Sequence, residues 1–300
     1  MTDPDRDQVF IELSPTLLGL AYRMLSSAAD AEDVVQDAFF RWRSADTDSV
    51  ASPRAFLSTV VTRLCIDRLT SAPARRETYP GQWLLEPVPS AEGEPDPAAA
   101  ADMADSLSLA FLVLLEELGP VERAVFLLHE VFGYPFAEVA DMTGQSAANC
   151  RQLASRARRR VSERRRRFDA DARQAHQLAQ RFVRCCGLGD LQGLMAVLAD
   201  DVVVWTDGGG RAKAAPRPVV GPYRAARFLV HAARAGAAGS VSEVVPLNGQ
   251  PGVLLSQNGL VHTAIVLDVV HGQICGVRVV VNPEKLGAVQ PGARRFVAVP

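Results

Sequence analysis

The chain has 300 residues, a hydrophobic fraction of 48% and a formal net charge of −2, so we expect two or three domains with separate cores. No apolar run approaches the roughly 18 residues of a membrane span, and the acidic start MTDPDRDQ lacks the basic and apolar segments of a signal peptide. We therefore expect a cytoplasmic protein with no membrane partner. The five cysteines, two of them adjacent, favour neither a disulfide framework nor a metal site.

The first region of the chain has helical periodicity. Apolar residues recur at spacings of three and four in three stretches. They are Phe10, Leu13, Leu17, Leu20, Ala21, Met24 and Leu25, then Val34, Val35, Ala38, Phe39 and Trp42, and then Phe56, Leu57, Val60, Val61, Leu64, Ile66 and Leu69. Asp30 is placed to cap the second helix, and Pro53 precedes the third. The pattern predicts a compact all-α domain, a helical bundle, over residues 1–70.

A linker is predicted over residues 71–106. Prolines interrupt any helical pattern there, at Pro73, Pro80, Pro87, Pro89, Pro95 and Pro97. The segment YPGQWLLEPV, residues 79–88, nevertheless contains Trp83 and two leucines, which a freely solvated tether does not need. These side chains predict an apolar partner for the linker.

Helical patterning then resumes. Pro120 is placed to start a helix and Gly133 to end it, while a short helix, AEVADMTG, ends at Gly144. Ser146 can cap the helix that follows. Two helices joined by a tight turn that contains glycine, the second of them positively charged, predict a helix-turn-helix domain over residues 107–168.

The second of these helices is strongly basic, because residues 146–167 hold nine arginines and a single acid, Glu163. Cys150, Leu153, Ala154, Ala157 and Val161 fall on one face and can pack inward. The outward face carries Asn149, Arg151, Gln152, Ser155, Arg156 and Arg159, residue types that contact base edges in a major groove. Arg158, Arg160 and Arg164 to Arg167 suit phosphates. The pattern favours DNA binding, and a solvated face stabilised by the helix dipole is the alternative.

The sequence pattern changes near residue 172, from helical periodicity alone to helices followed by strands. Two helical stretches, His176–Cys186 and Leu191–Leu198, precede the strand-like runs VVVW (202–205), VLLS (253–256), AIVLDVV (264–270) and ICGVRVVV (274–281). His271 and Gly272 are typical of a hairpin turn between the last two runs. The pattern predicts an α+β domain over residues 172–300, a curved antiparallel sheet with helices on one face.

Two segments of the first domain, AYRMLSSAADAEDVVQDAFFRWR (21–43) and RAFLSTVVTRLCIDRL (54–69), closely resemble conserved region 2 of bacterial extracytoplasmic-function sigma factors. The second domain resembles region 4 of that family, so the resemblance spans roughly residues 9–168. It implies a subunit that binds the RNA polymerase core enzyme and promoter DNA. Region 4 would read the minus-35 element, and region 2 would open and read the minus-10 element.

The resemblance implies roles for individual residues. The acidic start of the second helix suits a basic polymerase surface, with a plain solvated face as the alternative. This predicted core contact comprises Asp30, Glu32, Asp33, Gln36 and Asp37. The helix after Pro53 can hold a separated strand whose bases are flipped out, through Arg54, Thr59, Thr62, Arg63, Asp67 and Arg68. The minus-35 element would be read by Ser146, Asn149, Arg151, Gln152, Ser155, Arg156 and Arg159.

The third domain resembles the SnoaL-like, cystatin-type cone that is fused to one subgroup of these sigma factors. Three short segments carry this resemblance: WLLEPV (83–88) is similar to WLPEP of the subgroup, DGGGR (207–211) to DGGGK, and NPEKL (282–286) to NPDKL. In that subgroup the extension regulates the sigma factor in cis, in place of a separate anti-sigma factor. A small ligand bound in the cone could shift the regulated population only by preferring one state.

We therefore expect the linker to dock on the third domain near 207–211 and 282–286 and to fix the spacing of the two DNA-binding domains. The glycines make a permissive loop that another backbone can approach closely. The predicted contact comprises Trp83, Leu84, Glu86, Pro87, Asp207, Gly208, Gly209, Gly210, Arg211, Asn282, Pro283, Glu284, Lys285 and Leu286. A simple turn at DGGGR and a simple end cap at NPEKL are the alternative.

Two other functions remain open at this level. Cones of this type include cyclases and isomerases, and Asp207, His262 and His271 could be imagined as acid and base, although no nucleophile, base and orienting group occur together in the sequence. A helix-turn-helix regulator that does not act as a sigma factor would leave the first domain without a role. We expect a non-enzymatic sigma factor with no cofactor and no metal.

Overall fold

The computed structural model describes residues 3–46, 50–71, 79–90, 109–165, 172–236 and 239–293. The first domain is a bundle of three helices, α1 (Asp3–Leu25), α2 (Ala28–Ser44) and α3 (Pro53–Ser71). Leu17, Trp42 and Leu57 are fully or almost fully buried in it. The cap of α2 is Ser27 and not Asp30, because Ser27 Oγ accepts a hydrogen bond from the Asp30 amide at 3.1 Å.

The second domain contains the predicted helix-turn-helix. Its elements are α4 (Leu109–Glu116), α5 (Pro120–Phe126) with a π-helical turn over Leu127–Val131, α6 (Phe136–Thr143) and α7 (Ala147–Arg165). Pro120 occupies the first turn of α5, where its missing amide is tolerated. Gly144, with φ of +68°, ends α6 in the left-handed conformation and begins the turn into α7. Cys150, Ala154 and Ala157 form the buried face of α7.

The described part of the third domain combines three α-helices and two short 3-10 helices, Pro283–Lys285 and Gly287–Val289, with one six-stranded sheet. Its elements are α8 (Ala172–Leu188), α9 (Leu191–Met195), β1 (Leu198–Asp207), β2 (Val219–Val220), α10 (Pro222–Gly236), β3 (Val241–Leu247), β4 (Gln250–Gln257), β5 (Leu260–Val270) and β6 (Gln273–Val280). The strand order is β2-β1-β6-β5-β4-β3, and β3 to β6 form an antiparallel meander. His271 and Gly272, with φ of +48° and +76°, make the predicted turn. The fold class, two all-α domains and an α+β domain, is confirmed.

Two expectations for the third domain are wrong. The sheet is not wholly antiparallel, because β1 pairs with β6 in parallel, with Val204 opposite Val277. Alternation along a strand reports which face is buried and carries no information on strand direction. The helix predicted over Leu191–Leu198 ends at Met195, and Leu198 already belongs to β1.

The sheet is covered on both faces. On one face Leu267 of β5 packs in a core with Phe182 of α8. On the other face Val266 belongs to a core that also contains Leu84 and the interiors of the first two domains. Residues 79–90, called the linker peptide below, therefore lie between the sheet and the helical domains.

Candidate functional site

The helix α7 presents a polar face. Ser146 caps it by accepting a hydrogen bond from the Asn149 amide at 3.1 Å. The exposed members of the predicted minus-35 set are Ser146, Arg151, Gln152, Ser155, Arg156 and Arg159. Asn149 is half-buried, and its side-chain amide donates to Gln145 Oε1 at 2.8 Å. The exposed guanidinium and amide groups are those that form bidentate contacts with base edges.

Two arginines predicted to bind phosphate are engaged within the second domain. An Arg158 nitrogen lies 2.5 Å from Glu130 Oε1, and Arg160 Nη1 lies 3.1 Å from Glu122 Oε2. Both pairs tie α7 to α5 and its π-helical turn. The side chains of Arg164 to Arg167 lie outside the described residues. The count of arginines therefore overstates the uncompensated charge of α7.

The predicted core-polymerase contact forms an acidic surface on α2. Glu32, Asp33, Gln36 and Asp37 are exposed. Asp30 is partly covered, and its Oδ1 accepts from Arg68 Nη1 at 2.7 Å, while the same nitrogen lies 3.5 Å from Asp33 Oδ2. Arg68, predicted to meet the minus-10 strand, is therefore held by the acidic surface instead.

One face of α3 is packed against the second domain. Tyr134 Oη lies 2.8 Å from Ser58 Oγ and accepts from Arg54 Nε at 3.2 Å. Arg63 donates to the carbonyl oxygens of Asp141 and Met142, at 2.8 and 3.2 Å, at the C-terminal end of α6. These contacts occupy the face that the sequence assigns to single-stranded DNA.

The other predicted minus-10 residues on α3 divide between buried and accessible positions. Thr62 is completely buried, so DNA cannot reach it in this arrangement. Thr59 donates to the Ala55 carbonyl at 2.7 Å, which leaves it bonded within its own helix. Asp67 is exposed. Sequence reasoning identified the polar residues of α3 and missed Tyr134, whose only local signal is an aromatic residue next to the proline that precedes α6.

Asp207, at the end of β1, is the centre of the linker contact, and its side chain is completely buried. Its Oδ1 accepts from Tyr79 Oη at 2.5 Å and from the Gly209 amide at 3.0 Å. Its Oδ2 accepts from the Leu84 amide at 2.9 Å and from Lys285 Nζ at 2.7 Å. One carboxylate thus binds the linker peptide, its own loop and the segment after β6.

Lys285, in the segment after β6, completes this contact. Its Nζ donates to the Leu84 carbonyl at 2.5 Å and lies 3.4 Å from the centre of the Trp83 ring. A cation over an aromatic face is attracted by the ring quadrupole. Burial lowers the pKa of Lys285, and the hydrogen bond and charge of Asp207 oppose that shift.

Four other predicted contact residues, Asn282, Arg211, Glu284 and Gly210, lie around this pair. Asn282 donates through Nδ2 to Tyr79 Oη at 2.9 Å, and Arg211 forms an exposed ion pair with Glu284 at 2.7 Å. A Cβ added to Gly210 would stand 2.8 Å from Pro80 Cγ. The permissive loop thus comes directly against the linker peptide, at a proline that sequence reasoning did not assign to the contact.

The same linker peptide also forms hydrogen bonds with the first domain. Glu86 is buried, and its carboxylate accepts from Ser27 Oγ at 2.8 Å and from the Ala28 amide at 2.6 Å, at the N-terminus of α2. Burial is the main cause that raises the pKa of Glu86, and the hydrogen bonds from Ser27 and Ala28 oppose it. The Glu86 carbonyl accepts from Tyr22 Oη at 3.0 Å.

A third attachment joins the linker peptide to the β3–β4 turn. Asn248 exchanges hydrogen bonds with the Val88 backbone at 2.9 and 3.1 Å, and its Nδ2 donates to Tyr22 Oη at 2.5 Å. Asn248 adopts φ of +51°. The dipeptide Asn248-Gly249 is a hairpin signal in the sequence, but nothing local indicates that its side chain bridges two domains.

Comparison with known proteins assigns the family. Models described as sigma-70 region 2 and sigma-70 region 4 match residues 9–75 and 108–161. The chain is 37% identical to the ECF RNA polymerase sigma factor SigJ of Mycobacterium tuberculosis, over 92% of this chain and 91% of that relative. The chain belongs to the extracytoplasmic-function RNA polymerase sigma factors.

Two further similarities extend along almost the whole sigma factor. It is 35% identical to a probable ECF RNA polymerase sigma factor, SigI, of Mycobacterium tuberculosis, over 90% of this chain and 91% of that relative. The crystal structure of Mycobacterium tuberculosis SigJ superposes with a TM-score of 0.73 at 35% identity, covering 95% of this chain and 99% of that one. This sigma factor therefore binds RNA polymerase core and promoter DNA, with α1 to α3 as region 2, α4 to α7 as region 4 and an α+β third domain.

The imagined acid and base residues of the third domain do not come together. Asp207 is engaged with Lys285 and the linker peptide. His262 lies near the start of β5, 3.1 Å from Ser240 Oγ, whereas His271 lies in the turn after its end. The two histidines are nine positions apart along an extended strand, which separates them by about 30 Å.

The described residues of this sigma factor contain neither a candidate metal site nor a candidate membrane span. Among those residues, no group of three or more His, Cys, Asp and Glu side chains could hold a metal ion. None of the described helices is long and apolar enough to cross a membrane.

Proposed function

We propose that this sigma factor is regulated in cis by its third domain, which holds the linker peptide and thereby keeps regions 2 and 4 closed on each other. The observation that carries the proposal is the double attachment of one short peptide. Glu86 bonds to Ser27 and Ala28 of region 2, while Leu84 bonds to Asp207 and Lys285 of the third domain. Loss of either attachment would release the linker that sets the spacing of the two sigma domains.

The closed arrangement has a direct consequence for promoter binding. Arg54 and Arg63 donate to region 4, at Tyr134 and at the end of α6. A separated DNA strand can reach α3 only after these contacts open, because both would use the same donors. The contacts that hold the linker peptide therefore favour the closed state, in which region 4 covers the DNA-binding face of region 2.

The residue roles inferred from the sequence remain part of the proposal. The exposed face of α7 reads the minus-35 element, and its Arg151, Gln152 and Arg156 are accessible without rearrangement. The exposed acids of α2 bind a basic surface of the polymerase core. The α3 face reads the minus-10 strand after opening.

The third domain serves, in this proposal, as a built-in regulator without catalytic activity. Its buried carboxylate is already neutralised by Lys285, and its histidines at the two ends of β5 lie far apart. Docking of the linker peptide takes the place of a separate anti-sigma factor. We propose that the protein acts in the cytoplasm, where a bacterial polymerase meets its promoters.

Run-off transcription with core polymerase tests the proposal on the full chain. Asp207→Ala removes the acceptor of the Leu84 amide and of Lys285, and we expect a higher yield of initiated transcripts with unchanged affinity for core. Glu284→Gln is the matched control, because it removes only the exposed ion pair between Arg211, in the loop after Asp207, and the segment after β6. Equal yields from wild type and Asp207→Ala, at equal core binding, would show that the linker contact does not regulate initiation.

A further inference from the structure

The helical layer of the third domain, α8 to α10, carries no acidic side chain. Neither α8 nor α10 contains Asp or Glu, although the chain as a whole carries a net charge of −2. Arginines and histidines alternate with apolar residues, at Arg173, His176, Arg181 and Arg184 of α8 and at Arg224, Arg227, His231 and Arg234 of α10. All eight are exposed. None of the roles described above uses this charge.

Part of the layer forms a recess. A cavity of about 490 Å³ opens between α10 and the turn from α8 to α9, and it lies outside the sheet and away from the linker peptide. Arg224, Arg227, His231 and Arg234 line one wall at successive turns of α10. Half-buried Phe228 and Leu191 supply apolar surface. The size is that of sites for small organic ligands.

The charge of the recess is not compensated within the described chain. No carboxylate among the described residues forms an ion pair with Arg224, Arg227 or Arg234. Asp190, in the adjoining turn, is engaged instead in capping α9, where its Oδ1 accepts from the Gly193 amide at 2.9 Å. Like charges three and four residues apart on a helix repel each other. A bound anion would remove that repulsion.

We propose that this recess, the α10 recess, binds a small amphipathic organic anion. Its acidic group would be held by the guanidinium groups of Arg227 and Arg234, which favour carboxylate, phosphate and sulfonate oxygens. Its apolar body would lie against Phe228 and Leu191. The Arg234 guanidinium lies close to Gly189 at the edge of the recess, because a Cβ added to Gly189 would stand 2.7 Å from Arg234 Nη2.

A sigma factor also meets DNA, which is a polyanion. The apolar wall of the recess favours a small amphipathic anion over DNA. A duplex presents phosphates along an extended surface and would engage the whole cationic layer of α8 and α10, including Arg181 and Arg184. It would gain little from a concave site lined by Phe228 and Leu191. The recess therefore favours a compact ligand, and the inference does not depend on the regulatory role proposed for the linker peptide.

Fluorescent probes that separate charge from apolar surface test the proposal on the full-length protein. Anilinonaphthalene sulfonate is the probe, N-phenylnaphthylamine is its counterpart without the sulfonate, and inorganic sulfate is the charge without the rings. We expect one site for the sulfonate probe, and at least about tenfold weaker binding of each partial probe. Arg227→Glu and Arg234→Glu should each weaken the sulfonate probe by about tenfold or more.

The matched control is Arg181→Glu, the same charge reversal on an exposed arginine of the same layer that does not line the recess. It should change the affinity by less than about twofold. Arg224→Glu serves as a second recess variant if either substitution unfolds the protein. No single-site binding, equal loss in Arg181→Glu, or displacement of the probe by a short DNA duplex would overturn the proposal.

Discussion

Lys285 and Asp207 form a buried ion pair, with 2.7 Å between Nζ and Oδ2, and both groups also bond to the backbone of Leu84. The two side chains are 4% and 0% exposed, so neither charge is compensated by water. The pair holds the linker peptide because the carboxylate takes the Leu84 amide and the ammonium takes the Leu84 carbonyl. Its contribution lies in fixing the backbone of one residue, Leu84, between two domains.

Removing one member of the pair should release the linker peptide. Asp207→Ala leaves the Lys285 ammonium buried without its carboxylate, which typically costs about 3–5 kcal/mol. We expect hydrogen exchange of the Leu84 amide to accelerate by several orders of magnitude. Lys285→Met in the same chain should recover part of the stability, because it removes the orphaned charge. Additive effects of the two substitutions would contradict the coupling.

Docking of the linker peptide should depend on pH through Glu86. Its pKa lies above the ordinary value of 4.5, chiefly because of burial, so the folded state binds the proton more tightly than the unfolded state. The contribution to stability is therefore present at low pH and is lost as pH rises through the raised pKa. The unfolding free energy of wild type relative to Glu86→Gln should be larger near pH 5 than near pH 7.5, with a slope of at most about 1.4 kcal/mol per pH unit.

Chemical denaturation of the two proteins across this range measures the effect. Glu32→Gln is the control, because Glu32 is exposed on the same helix that Glu86 caps. The Glu86→Gln difference should show the same dependence on pH when it is measured in a Glu32→Gln background. A Glu86→Gln difference that is constant, or that grows as pH rises, would contradict the assignment.

The closed arrangement of regions 2 and 4 should weaken when Tyr134 loses its hydroxyl. Tyr134→Phe removes the hydrogen bonds to Ser58 and Arg54 and keeps the ring, so we expect a loss of about 1–2 kcal/mol in the contact. Fluorescence energy transfer between labels on α3 and α6 should report a larger open population. Tyr223→Phe, at an exposed position of α10, should leave the transfer unchanged.

The sequence revealed the helices and missed what joins them. Helical periodicity, as between Leu57 and Val61, and helix-ending residues such as Gly144 act within one stretch of chain. The first two domains could therefore be predicted from these local signals. The direction of β1 against β6 and the bridge from Asn248 to Tyr22 depend on residues far apart in the chain. Local sequence patterns cannot predict contacts between residues that are so far apart in the chain.

The sequence predicted some residues of the candidate site but not how they are paired. Resemblance of short motifs pointed to Asp207 and Lys285, which the structure brings within hydrogen-bonding distance. It gave no indication that Glu86 caps α2, or that Arg63 is held by region 4. Composition suggested where charge is, and only the fold shows which charges are already paired.

Two glycines with similar positive φ angles test the contact between the loop and the linker peptide. Gly210 and Gly259 have φ of +71° and +79°, so alanine is strained at both. At Gly210 a Cβ would also stand 2.8 Å from Pro80 Cγ, whereas at Gly259 it would meet nothing within 4 Å. Gly210→Ala should therefore destabilise docking by about 1 kcal/mol more than Gly259→Ala, since the linker peptide must shift to relieve the overlap.

Limited proteolysis within the linker peptide, together with Leu84 amide exchange, separates the two effects. Gly210→Ala should expose the linker peptide to cleavage, while Gly259→Ala should lower global stability and leave linker protection as in wild type. Because the backbone strain is common to both, any difference between them reports the contact with Pro80. Equal linker protection in the two variants would mean that the glycine loop is only a turn and does not support docking.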